Sequence, residues 1–92
     1  MSDPSFISRF YASLEDYLQQ LEQAALTGDL AAMRKLGHKM LGLCQLFGTP
    51  AQVSLCEALE AAETWAVIKP VLIILRAQIA SDKDSSIGEP AR

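Results

Sequence analysis

The stretch Gly37-His38-Lys39-Met40-Leu41-Gly42-Leu43-Cys44-Gln45-Leu46-Phe47-Gly48 holds the single histidine of a 92-residue chain. A neutral imidazole is a nucleophile near neutral pH, because its unperturbed pKa is about 6.5. It can take a phosphoryl group and release it again, since phosphoramidates are labile. Such a carrier needs no cleft of its own, only access and a surface on which a partner docks. Glycine within a helix costs about 1 kcal/mol relative to alanine, yet Gly37 precedes His38 and Gly42 follows it by one turn. Residues four apart share a helix face, so a missing side chain at Gly42 opens the imidazole to another protein. Gly37 is either a packing residue or merely tolerated.

The remaining chemistry-bearing residues form no familiar constellation. There is no GxSxG, HExxH or Walker-type glycine loop. Hydrolysis would also require a nucleophile, a base and an orienting partner. Autonomous catalysis is not expected. Cys44 and Cys56 stand apart with no CxxC and no Cys/His ligand set, which argues against a metal site. They read as reduced thiols packed in a core, which fits a cytoplasmic chain.

Four helices must position these residues. Ser2-Asp3-Pro4 offers a cap with proline at the first turn, and Ile7, Phe10, Tyr11, Leu14, Leu18, Leu21 and Ala25 follow at helical spacing. Thr27-Gly28 ends that helix and Asp29 caps a second, from Leu30 to Phe47. Gly48 sits where a C-terminal glycine belongs. Thr49-Pro50-Ala51-Gln52 reads as a capping box opening a third helix, to about Ala62. Thr64 caps a fourth, from Trp65 to about Ser81, either kinked at Pro70 or regular only from near Lys69. No segment alternates with a period of two. The expected fold is all-α, an up-down-up-down antiparallel four-helix bundle over residues 1–82, with a polar tail over 83–92.

At about 100° per residue, Leu36, Met40 and Phe47 lie opposite His38, with Met33 and Leu43 on that side. This is the expected core stripe of the second helix. Arg34, Lys35, Gly42 and Gln45 share the outward face with His38, Leu41 stands to one side, and Lys39 points about 100° away.

Net charge is −3 with no cluster of Lys and Arg, which argues against nucleic acid and anionic membranes. The densest apolar run, Val71 to Leu75, falls far short of the ~20 residues that span a bilayer, so no membrane insertion is expected. The first residues are polar and acidic and do not resemble a signal peptide.

The sequence His38-Lys-Met-Leu-Gly42-Leu-Cys-Gln-Leu-Phe-Gly48, followed by Cys56-Glu-Ala-Leu-Glu60, resembles the histidine-containing phosphotransfer (HPt) domain. That family's pattern is His, two variable residues, Lys-Gly, often two small residues, Leu-Gly, and later Cys-x-x-Leu-Glu. His38, Gly42, Gly48, Cys56, Leu59 and Glu60 match. The resemblance is to such domains at the C-terminal end of hybrid sensor histidine kinases, as well as to free-standing ones.

The resemblance implies that His38 accepts a phosphoryl group from a receiver-domain aspartyl-phosphate and passes it to another receiver. It implies no cofactor of the chain's own, magnesium belonging to the partner receiver. It also places Glu60 near the imidazole, where it either accepts a ring N–H or is simply a solvated helix residue. One position departs from the pattern: Leu41 stands where the family usually has lysine. Arg34 and Lys35 can supply the charge, with Lys39 close by, and Leu41 then becomes an apolar docking contact beside Gln45. The alternative reading is a helical module that binds a receiver or kinase without carrying phosphate.

Overall fold

A computed structural model describes residues 4–86 of the chain. Four helices follow one another: α1 (Pro4–Thr27), α2 (Leu30–Phe47), α3 (Pro50–Ala61) and α4 (Trp65–Ser86). Among the described residues there is no strand. Each helix packs against its neighbours in sequence, and α4 closes back on α1, so α2 lies diagonally across from α4. This is the all-α four-helix bundle expected from the apolar spacing and short turns.

The helix boundaries follow from local chemistry. Gly28 takes φ +73°, a left-handed conformation that costs glycine little, and turns the chain out of α1. The Asp29 side chain accepts from the Ala32 amide at 3.0 Å and caps α2. At α3 the reciprocal capping box forms, Thr49 Oγ1 accepting from Gln52 N and Gln52 Oε1 from Thr49 N. Gly48 needs no unusual φ, since its backbone is extended. It is glycine for space: a Cβ there would stand 2.9 Å from the Cys44 carbonyl oxygen and closer still to Gln52.

One open reading is decided and three expectations change. First, α4 is continuous through Pro70 from Trp65, so of the two alternatives the helix that starts before the proline holds. Second, α4 runs past Ser81 to Ser86, taking in Lys83 to Ser86 of the expected tail. Lys83 Nζ pairs with Glu15 of α1 at 2.9 Å, and Asp82 accepts from Gln52 Nε2 at 2.8 Å and from Gln78 Nε2 at 2.9 Å. Those partners hold the extra turn in place. The proposed Ser2-Asp3 cap and residues 87–92 lie outside the described residues.

Third, the core stripe of α2 is turned. Met33, Gly37, Met40, Leu41 and Cys44 are buried, whereas Phe47 is half-exposed and Leu36 and Leu43 are only partly covered. At about 100° per residue the stripe centres roughly 60° from the expected direction, towards Gly37 and Leu41. Fourth, Leu41 is therefore no docking contact: it is 8% exposed and packed in the core. The cause is Gly37. A Cβ at Gly37 would lie 3.5 Å from the Glu60 backbone nitrogen and from the Leu59 side chain. The backbone of α3 runs close against α2 there and covers that flank.

Inside the bundle, Leu14, Leu21, Met33, Met40, Leu59, Ile68 and Leu75 are fully buried. At about 1.5–3 kcal/mol for each fully buried large apolar side chain, this cluster is the main source of stability. Gln52 is the one buried polar residue among those described. Its amide reaches Asp82 of α4 and, at 3.4 Å, the Tyr11 hydroxyl of α1, so three helices meet at one satisfied polar group.

Candidate functional site

His38 sits midway along α2 on the face turned away from the core. Its side chain is 73% exposed. Nδ1–H donates to Glu60 Oε2 of α3 at 2.7 Å, and the Glu60 side chain is 37% exposed. The packing of α3 on α2 at Gly37 lies next to this pair. It brings the Glu60 backbone against the turn of α2 that carries His38, so a short carboxylate arm can reach the ring.

The bond differentiates the two ring nitrogens. With its proton on Nδ1 facing a carboxylate, the neutral ring has its lone pair on Nε2. Access to Nε2 depends on Gly42. A side chain at Gly42 would project into open space, with nothing outside its own helix within 4 Å of the Cβ. Packing therefore does not call for glycine at that position, and the fold does not depend on it.

Arg34, Lys35, Lys39 and Gln45 are all exposed on α2. Among the described residues, none of the three cations is engaged in an ion pair. The fifth expected contact, Leu41, is not on this surface, for the reason given above. Gly37, which the sequence left open, is buried against Leu59 and the Glu60 backbone, where an added Cβ would make ordinary contact.

Behind the site, Cys44 and Cys56 are buried, reduced and in contact across α2 and α3. The hydrogen bond to Cys44 and burial together push the Cys56 thiol far above its ordinary range, so it stays protonated and inert. Among the described residues, no group of three or more His, Cys, Asp or Glu side chains is placed to hold a metal ion. Among the described residues, no helix is long and apolar enough to cross a membrane.

This arrangement can perform one elementary step. The exposed, oriented lone pair of Nε2 can attack an electrophile delivered from outside, while Glu60 steadies the positive charge that develops on the ring. A family model described as "Hpt domain" matches residues 5–80, the stretch that contains His38, Gly42 and Glu60. No curated protein and no solved structure matches the chain.

Proposed function

Because the chain belongs to the Hpt domain family and so to phosphotransfer in two-component signalling, we propose that His38 is its phosphoacceptor, loaded from a receiver-domain aspartyl-phosphate. The carrying observation is the 2.7 Å bond from Nδ1–H to Glu60, which leaves Nε2 as the free nucleophile on an open face beside Gly42. In the forward step Nε2 attacks phosphorus, an N–P bond forms and the P–O bond to the aspartyl carboxylate breaks. The aspartate leaves as a carboxylate. The Nδ1 proton stays on the ring, facing Glu60, and the imidazolium charge is held by that carboxylate. The reverse step delivers the phosphoryl group to another receiver.

Charge neutralisation at the transferring phosphoryl group falls to the partner, whose magnesium supplies it. This chain contributes the exposed cations Arg34, Lys35 and Lys39 around an anionic ligand, with Gln45 and the open Gly42 position as the rest of the docking face. Buried, reduced thiols support a cytoplasmic setting.

The test is direct. Incubation with a phosphorylated receiver should give an acid-labile, base-stable label on the wild-type chain. His38→Ala should carry none while keeping the same helical content. A label that survives in His38→Ala overturns the assignment.

A further inference from the structure

Helix α4 is apolar on both of its faces. Ile68, Leu75 and Ile79 point inward and are at most 1% exposed, yet Ile73 is 70%, Ile74 53% and Val67 49% exposed. A helix apolar all round is normally covered all round. The outer face has a register. Exposed Ala66, Pro70, Ile73, Ala77 and Ala80 recur at alternating steps of four and three, the heptad period that keeps a seam turned towards another helix. The next residue in that register, Asp84, is charged and ends the seam.

The two flanks differ. On one side, seven apart, stand Lys69, Arg76 and Lys83; on the other stand Val67, Ile74 and Ser81. Arg76 is already paired with Glu22 and Lys83 with Glu15, both on α1 of the same chain. An acidic partner helix would therefore meet only one unpaired cation, Lys69, on this face. A second α4 fits better. Alanine at two successive seam positions, Ala77 and Ala80, lets an identical helix come close. If the two helices run parallel, the basic flank of one lies against the apolar flank of the other, and the unpaired Lys69 of one copy lies opposite Ile74 of the other and covers it with its stem. An antiparallel pair would set the basic flanks against each other.

We infer that the outer face of α4 is a self-association surface, on which two copies of this chain pack their α4 helices in parallel about a two-fold axis. Because α2 is diagonal to α4, both His38 side chains stay clear of the contact. The seam from Ala66 to Ala80 is about 22 Å long. One helix face of that length falls short of the roughly 800 Å² per partner found in stable complexes, so the dimer is weak and concentration-dependent.

Sedimentation equilibrium of the full chain from about 10 μM to about 1 mM reads it. The expected result is a mass rising from one chain towards two. Ile73→Asp, and independently Ala77→Glu should the first lose helical content, should stay monomeric across the range. Leu46→Asp, an exposed position on α2, should dimerise as the wild type does. Ala66→Cys treated with oxidised glutathione should give a disulfide-linked pair, two thiols oxidised as glutathione is reduced, because this residue meets its own copy only in the parallel register. A chain that remains monomeric at the highest concentration, or a dimer that survives both seam variants or is lost in Leu46→Asp, overturns the surface. A dimer that Ala66→Cys does not trap overturns the parallel register.

Discussion

The two ring nitrogens of His38 have different neighbours, and each difference is a prediction. Glu60 faces Nδ1 at 2.7 Å from a half-open position. An ion pair at such an exposed site contributes about 0.2–1 kcal/mol, roughly a two- to fivefold effect. Glu60→Gln keeps a hydrogen-bond acceptor but loses the charge, so transfer should slow by about that factor with stability unchanged. Glu60→Ala removes the acceptor. Ring 15N shifts should then move from the Nδ1–H tautomer of the wild type towards Nε2–H. Unaltered shifts would show that Glu60 does not orient the ring.

At Gly42 the outcome is two-sided. Gln there should slow transfer, by up to about a hundredfold where the receiver is displaced by an ångström or so. The same change should raise helix stability by up to about 1 kcal/mol, because a Cβ meets only open space. Slower transfer with a higher melting temperature separates access from packing. An unfolded variant would make Gly42 a packing residue.

The helix ends show which parts of the fold could be read from sequence. Asp29, Thr49 and Gln52 announced their helices because a cap is a bond between residues three apart. The far end of α4 could not be read in this way. Asp82 bonds Gln52 across 30 positions and Lys83 bonds Glu15 across 68, and nothing local marks a polar residue as having a distant partner. The turned stripe of α2 was hidden for a related reason. Periodicity yields one mean apolar direction, but α2 packs on both α1 and α3, and its packing on α3 is the more extensive. The pair His38–Glu60 joins two helices as well, and it was anticipated through the family pattern rather than from spacing.

Pro70 carries the prediction at this scale. It lies inside α4, exposed, and has no N–H to offer the Ala66 carbonyl one turn back. Pro70→Ala restores that bond. The gain in helix propensity, about 3 kcal/mol at a regular interior site, is offset by roughly 0.4–1 kcal/mol of freedom returned to the unfolded chain. A net gain of about 2 kcal/mol should appear as a higher urea midpoint with an unchanged slope. A fall in the midpoint would mean that the ring itself is a packing element.

Across the whole molecule, stability and chemistry occupy different layers of the same seam. A domain of this size has about 5–15 kcal/mol to lose, and the packed interior supplies it. The site lies outside that interior, on the open side of α2 and α3. Cys44 and Cys56 test how separate the layers are, because they join the same two helices underneath it. Replacing both by alanine removes two buried thiols and leaves small voids, for a loss of about 1–3 kcal/mol together. Two observations argue that the site should not notice. Beside the site α2 packs on α3 through Gly37, Leu59 and the Glu60 backbone, contacts that the double variant keeps. The Cys56 thiol is also held protonated by the Cys44 hydrogen bond and by burial, and both side chains are sealed from solvent beneath the site. Cys44→Ala with Cys56→Ala should therefore melt several degrees lower, yet exchange phosphate with a receiver within about twofold of the wild-type rate when both are assayed well below the transition. A folded double variant that no longer exchanges phosphate would show that packing beneath the seam sets the His38–Glu60 geometry, and that the core and the site cannot be separated.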